Sequence, residues 1–152
     1  MKKIIPIIFL IILIPLTSCQ GIYCLNRTKI ENKINRQREI KNLKTLKPNH
    51  KLRKIARLRV NEIIRKNEYR HNLNSLQKLP NRVGYKNWER IGEIIGRKWK
   101  SEKALVKAWK GSKTHRREMF RKKYKDIGCY SKRLYNNWGN LTVCIFGVRN
   151  NK

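Results

Sequence analysis

The chain has 152 residues, of which 39% are hydrophobic, and it carries 39 Lys and Arg against 9 Asp and Glu, a formal net charge of +30. Most of its aromatic residues lie between Tyr85 and Phe146. That composition excludes a disordered chain and is sufficient for one domain with one core.

The charge favours polyanionic partners, such as nucleic acid, anionic lipid or acidic polysaccharide. The basic residues are spread from Lys29 to Arg149 and are not gathered in one stripe. This distribution predicts general attraction to polyanions, and we do not expect specific recognition of nucleic acid.

The N-terminus has the pattern of an export signal. Two lysines, Lys2 and Lys3, precede an apolar run from Ile4 to Leu16 that is too short for a comfortable membrane span. The sequence Leu-Thr-Ser-Cys at 16–19 then looks like a bacterial lipobox, in which the thiol of Cys19 is acylated. We therefore predict a lipoprotein signal peptide at 1–18, a lipidated tether at 19–29 and a domain at 30–149. An ordinary signal peptide cleaved near Ser18 is the alternative.

Export allows disulfides to persist. If Cys19 carries lipid, three cysteines remain: Cys24, Cys129 and Cys144. Three is an odd number, so one thiol is expected to stay unpaired.

Two helices are predicted first. Residues 30–46 carry apolar side chains at helical spacing and end near Pro48. Residues 50–67 have a clearer apolar face, opposite a basic face that we expect to be solvated. The apolar face consists of Leu52, Ile55, Ala56, Val60, Ile63 and Ile64. Residues 71–90 are polar and contain Pro80 and Gly84, which predicts a loop with at most a short helix.

The second half of the sequence predicts strands as well as helices. Residues 91–95, IGEII, form a short buried run, and Ser101 is a suitable N-cap for a helix that carries Trp109. Ser112 is expected to cap a further short helix through Met119. The segments YKDIGCYSK and LTVCIFGVR alternate in polarity and predict an antiparallel hairpin. Cys129 and Cys144 would lie on its adjacent strands and bond if they are opposite one another, leaving Cys24 as the free thiol. Helices followed by strands indicate an α+β fold.

Six motifs in order resemble the CAP superfamily (SCP/TAPS, the cysteine-rich secretory protein, antigen 5 and pathogenesis-related 1 group) in its short bacterial form. The likeness covers about residues 30–148. The motifs are INRQR at 34–38, the helix ending in a histidine at 51–71, NRVGY at 81–85 with GEII at 92–95, W-x-x-S-x-x-H-R at 109–116, YKDIGC at 124–129, and the final strand LTVCIFG.

The resemblance implies an α-β-α sandwich, in which a small antiparallel sheet lies between helices. It also implies a surface cleft lined by His71, Glu93 and His115, with Ser112 at the position where animal and plant members have a second glutamate. The family's Gly-Glu-Asn motif is Gly-Glu-Ile here, with Ile94 in place of the asparagine.

Several roles for the cleft are compatible with these residues. His71, Glu93 and His115 could hold a Zn²⁺ ion with water as the fourth ligand, and such a water could act as a nucleophile. Ser112, His115 and Glu93 could serve as a hydrolytic set, although the sequence lacks a G-x-S-x-G elbow. In a structural role, Glu93 would bridge the two imidazoles. We favour a structural or metal-binding role, with no catalytic residue and no required cofactor.

We therefore expect a monomeric, lipid-anchored surface protein that acts by binding, with an anionic polysaccharide or lipid as the partner class and the outer membrane as one possible location. A small-lipid or sterol carrier is one alternative, and it would need an apolar groove near Trp88 and Trp99. A metal-dependent hydrolase that uses the His71, Glu93 and His115 cleft is the other.

Overall fold

The computed structural model describes residues 24–135 and 139–150. The predicted signal peptide, the lipidation site Cys19 and the first part of the tether lie outside these residues. Within the described residues, no helix combines the length and the apolar character needed to cross a membrane.

The described residues form five helices and four strands. In chain order they are α1 (Arg27–Glu39), β1 (Lys47–Pro48), α2 (His50–Lys66), α3 (Leu73–Arg82), β2 (Trp88–Arg97), α4 (Glu102–Gly111), α5 (Lys113–Met119), β3 (Asp126–Arg133) and β4 (Asn140–Arg149).

Helix α1 begins and ends earlier than the apolar spacing indicated. It begins at Arg27 because the side chain of Asn26 accepts a hydrogen bond from the backbone N–H of Lys29. It ends at Glu39, and the chain then turns through Asn42, whose φ of 54° is left-handed. Leu46 is buried in the segment before β1, where its backbone N–H donates to the side chain of Asn35 and its C=O accepts from it.

Helix α2 confirms the predicted apolar face, which is buried except for the half-buried Ile64. Asn49 caps its start and a left-handed Asn67 ends it. Helix α3 occupies ten residues where we predicted mainly a loop. It forms because Asn72 caps its N-terminus and because Leu76 and Leu79 are buried on one side, so that tertiary packing outweighs the polar composition.

The sheet has the strand order β1-β3-β4-β2. Strands β3 and β4 form the predicted antiparallel hairpin, with Cys129 opposite Cys144. Strand β2 is antiparallel to β4 and runs for ten residues, so it is longer than the predicted run at 91–95. The two residues of β1 pair in parallel with β3, which makes the sheet mixed and not wholly antiparallel.

Helices cover both faces of the sheet, as the α-β-α expectation requires. The side chains of β4 alternate between the faces. Cys144, Phe146 and Val148 pack in one cluster with residues of α1, α4 and α5, including Trp109. Leu141, Val143 and Ile145 pack in the other cluster, with residues of α2 and α3. The predicted three-layer α+β architecture is therefore confirmed.

Candidate functional site

Glu93 lies in the middle of β2, and its side chain is only 2% exposed. A buried carboxylate is costly unless it is paired and hydrogen-bonded. Arg59 of α2 supplies the partner, because its Nε donates to Glu93 Oε2 at 2.7 Å and its Nη2 lies 3.4 Å from Oε1. The carboxylate and the guanidinium together form a buried ion pair between the helix and the sheet.

Arg59 is itself held on several sides. Its Nη1 binds the carboxylate of Glu62, and its Nη2 donates to the backbone carbonyl of Arg70 at 3.3 Å. Burial by itself lowers the pKa of Arg59, but the hydrogen bond and the charge of Glu93 outweigh it and the pKa is raised. For Glu62, burial acts to raise the pKa, yet hydrogen bonds from Ser75 and Arg59 hold it below its ordinary value. Arg59 and Glu62 therefore both stay ionised.

His71 lies directly before the Asn72 cap of α3 and contacts the same carboxylate. Its Nδ1 is 2.9 Å from Glu93 Oε1, a distance at which a protonated Nδ1 donates to the carboxylate. The rest of the ring faces outward, and the side chain is 48% exposed. Glu93 thus connects α2, β2 and the segment that precedes α3.

His115 lies near this network, but no hydrogen bond joins it to Glu93 in the part of the chain that the structure describes. Its ring centroid is 6.5 Å from that of His71 and 6.4 Å from that of Trp109. Trp109 is fixed in turn, because its Nε1 donates to the carbonyl of Ile95 at 3.0 Å. Burial, and then the charge of His71, lower the pKa of His115, which favours its neutral form.

The observed contacts of Glu93 differ from two of our predictions, namely a carboxylate that bridges the two imidazoles and a zinc site. Glu93 joins His71 to Arg59 and does not join the two imidazoles, so both of its oxygens already have partners. Across residues 24–135 and 139–150, no group of three His, Cys, Asp or Glu side chains is placed to hold a metal ion. His71, Glu93 and His115 therefore do not fit Zn²⁺ in this arrangement.

Ser112 is the fourth predicted cleft residue, and it does not pair with His115. Its Oγ lies 3.2 Å from the hydroxyl of Thr114. It occupies the N-cap position of α5, but its side chain makes no capping hydrogen bond, contrary to our expectation. Among the described residues, Ser112 therefore has no hydrogen bond to a histidine that could activate it as a Ser–His nucleophile.

Trp88 and Trp99 do not line a common groove. Trp88 begins β2 and Trp99 follows its end, and the two ends of this extended strand are roughly 30 Å apart. Trp88 packs against the cluster under α2 and donates through Nε1 to Asn81. Trp99 lies on the surface and is 36% exposed.

The sequence analysis missed Arg59, although a signal for it was present. Position 59 falls four residues after Ile55 and four before Ile63, on the apolar face of α2, where a side chain is expected to be buried. A buried arginine at such a position needs acceptors for its guanidinium, and a buried carboxylate is one such partner.

The sequence analysis also missed a basic groove of about 950 Å³ at the end of the sheet where β3 begins and β4 ends. We call it the cationic groove. Its charged lining residues are Lys44, Lys47, Lys122, Lys123, Lys125, Arg149, Glu89 and Asp126.

The two acidic residues of the cationic groove each have a partner. Glu89 pairs with Lys123, and Asp126 accepts from Tyr85 and lies 3.5 Å from Arg149. Four exposed lysines remain, and none of them forms an ion pair with any residue that the structure describes: Lys44, Lys47, Lys122 and Lys125.

Comparison with known proteins agrees with the fold. An outer surface protein of Borrelia burgdorferi aligns with a TM-score of 0.70 at 20% identity over 81% of this chain and 92% of that one. A cysteine-rich secretory protein of Staphylococcus aureus aligns with a TM-score of 0.66 at 20% identity over 79% of this chain. An extracellular SCP-domain protein of Bacillus anthracis gives 0.68 at 18% identity over 82%.

The Staphylococcus and Bacillus proteins are longer, and the alignments cover 37% and 40% of their lengths. No curated protein matches the chain significantly. The family model of the cysteine-rich secretory proteins matches residues 31–146, which is most of the chain. The protein belongs to the CAP, or cysteine-rich secretory protein, family.

Proposed function

We propose that this protein is a lipid-anchored bacterial surface protein that binds an anionic polysaccharide in the cationic groove. The observation that carries the proposal is a set of four lysines around one open concave surface, none of which forms an ion pair with a described residue. Export is supported by the predicted lipobox at Cys19. It is also supported by the structural likeness to an outer surface protein of Borrelia burgdorferi and an extracellular protein of Bacillus anthracis.

The groove concentrates positive potential. Charges that line a concave surface reinforce one another, and they attract oppositely charged polymers more strongly than the same charges dispersed over a convex surface. Glu89 and Asp126 neutralise only Lys123 and Arg149, so the remaining lysines are available to sulfate or carboxylate groups.

A polysaccharide fits this groove better than a nucleic acid does. Single-stranded nucleic acids are held largely by bases that stack on exposed aromatic rings. Tyr124 is the aromatic residue of the groove lining, and it is 2% exposed and stacks on Phe146. Burial, followed by the hydrogen bond to Glu118, also raises the pKa of Tyr124, so its hydroxyl stays protonated and adds no negative charge.

The cleft residues serve a structural role in this proposal. Arg59, Glu93 and His71 satisfy one another, and Ser112 is not activated by a base. The network joins α2, β2 and the start of α3, and it leaves the cationic groove as the surface for ligand binding.

The test measures binding of the full chain to heparin, a sulfated polysaccharide, and to neutral dextran. The double variant Lys122→Glu/Lys125→Glu should weaken heparin binding by about tenfold or more, since it reverses two charges within the groove. The control, Lys54→Glu/Arg57→Glu, makes the same change in net charge on the exposed face of α2, away from the groove lining.

We expect the control to retain most of the binding and dextran to show none. Equal losses in the two double variants would show that net charge alone drives binding and would refute a groove site. Duplex DNA that binds as tightly as heparin would likewise indicate generic attraction to polyanions.

A further inference from the structure

The structure shows where the N-terminal segment leaves the domain. Leu25 is buried in the core cluster under α1 and α4. On one side of it, Cys24 Sγ donates to the carbonyl of Ser131 at 3.2 Å. On the other side, the backbone N–H of Asn26 donates to Glu102 Oε1 at 2.8 Å. Three separate contacts therefore hold the chain at the end of the sheet where β3 finishes and α4 begins.

That end of the sheet carries an exposed surface of basic and aromatic side chains, which we call the tether-end surface. It consists of Lys98, Trp99, Lys100, Lys132, Arg133 and Tyr135. Two hydrogen bonds join its parts, because Lys98 N–H donates to the carbonyl of Asn140 and the Asn140 amide donates to the carbonyl of Trp99. Asn140 in turn pairs with Arg133 across the hairpin.

The composition of the tether-end surface is that of a membrane-facing surface. Tyr135 is 92% exposed and Trp99 is 36% exposed. Trp and Tyr favour the headgroup level of a bilayer, and Lys and Arg are attracted to anionic headgroups. In the described part of the chain, none of the four basic residues on this surface forms an ion pair, so their charge is not neutralised locally.

We propose that the tether-end surface lies against a lipid bilayer with anionic headgroups. The proposal rests on the acylation of Cys19 that forms part of the proposed function. Cys19 is five residues before Cys24 in the sequence, so an extended chain spans at most about 17 Å between the lipid and the domain. A tether of this length holds the end of the domain from which it leaves close to the bilayer.

The orientation that follows places the cationic groove on the side away from the membrane. Strand β3 begins at Asp126, in the groove lining, and runs toward Ser131, where Cys24 is bound. An extended strand rises about 3.3 Å per residue, so the groove and the tether lie at opposite ends of the sheet. A polysaccharide outside the membrane would therefore reach the groove without displacing lipid.

Tryptophan fluorescence tests the orientation, because β2 has one tryptophan at each end. The full acylated chain carries Trp138→Phe, so that the emission comes from the other three tryptophans, and is reconstituted in vesicles of phosphatidylcholine and phosphatidylglycerol with brominated acyl chains. Brominated lipid should quench the emission, and Trp99→Phe should remove most of that quenching. Trp88→Phe is the matched control at the groove end and should leave the quenching unchanged.

A second pair of variants tests the charge. Lys132→Glu/Arg133→Glu should reduce the quenching in anionic vesicles, whereas Lys54→Glu/Arg57→Glu on α2 should not. Quenching that survives Trp99→Phe, or that disappears with Trp88→Phe, would overturn the proposed orientation.

Flotation and heparin binding on the same samples separate this proposal from the proposed function. A native chain that does not float with the vesicles would refute the lipid anchor and, with it, the membrane-facing surface. A chain that floats and binds heparin but shows no quenching through Trp99 would refute only the membrane-facing surface.

Discussion

Arg59 Nε lies 2.7 Å from Glu93 Oε2, in a contact where both side chains are at most 2% exposed. Burial of such a pair removes the hydration of both charges. That cost in free energy is offset only if further hydrogen bonds satisfy the remaining donors and acceptors of the two groups. Glu62, His71 and the carbonyl of Arg70 supply those bonds. The network therefore fixes how α2 packs against β2.

Removing one partner of this ion pair should be costly. Arg59→Met leaves the carboxylate of Glu93 buried without its guanidinium, and we expect a loss of about 3 kcal/mol in the free energy of unfolding. Arg57→Met, two residues away on the exposed face, should change it by less than about 0.5 kcal/mol. Urea denaturation followed by circular dichroism measures both variants, and equal stabilities would contradict the buried pair.

Helix α2 passes very close to β3 at Gly128. A Cβ on Gly128 would lie 2.2 Å from the backbone nitrogen of Arg53 and 2.4 Å from the carbonyl carbon of Leu52. Because these are backbone atoms, Gly128→Ala must displace the helix and should lower the free energy of unfolding by about 2 kcal/mol or more.

Gly111→Ala is the control for that substitution. Gly111 is the last residue of α4, and its added methyl group would lie more than 4 Å from every described residue outside its own helical turn. Since alanine favours helix more than glycine does, the variant should be more stable by up to about 1 kcal/mol. Thermal unfolding of the two variants should thus shift in opposite directions, and a tolerated Gly128→Ala would show that the close approach is absent.

The disulfide between Cys129 and Cys144 joins β3 to β4 across a sequence separation of 15 residues. A crosslink of this loop length stabilises by about 3 kcal/mol in the chain-entropy account. The double variant Cys129→Ala/Cys144→Ala should lose about that amount. Cys24→Ser leaves the crosslink in place and should remain within about 0.5 kcal/mol of the parent, as measured by urea denaturation under non-reducing conditions. A double variant as stable as Cys24→Ser would contradict the prediction.

His115 should make part of the stability dependent on pH. Burial and the charge of His71 lower the pKa of His115 in the native state. At pH values between the native and the unfolded pKa, the unfolded chain therefore binds more protons than the native chain does. The contribution of His115 is therefore present above the unfolded pKa, near 6.5, and is lost as the pH falls through the native pKa. Because the ring is half-buried, the change should be less than about 1 kcal/mol.

The variant His115→Gln isolates this contribution from that of the carboxylates. The free energy of unfolding of the parent minus that of the variant should be larger at about pH 7.5 than at about pH 5. Urea denaturation of both proteins at each pH measures this difference. A difference between the two proteins that does not change with pH would contradict the prediction.

Local patterns were sufficient for much of the fold. The apolar positions of α2 recur every three or four residues, and those of the hairpin alternate, because a helix and a strand each place such positions on one face. These apolar faces depend on neighbours in the sequence, and the sequence determined them by itself. The three-layer arrangement was implied by the resemblance of six short motifs to the CAP family.

Only the tertiary structure decided how the charges are paired. Arg59 is buried because Glu93, 34 residues later, lies opposite it, and this pairing takes the carboxylate that we expected between two histidines. The cationic groove collects lysines from β1, from the segment before it and from the segment before β3, which is distant in the sequence. Helix α3 and the parallel β1 likewise depend on contacts with other elements. Helical and strand periodicity reports which face of an element is apolar, whereas the partner of a charge is determined by where the fold brings distant residues together.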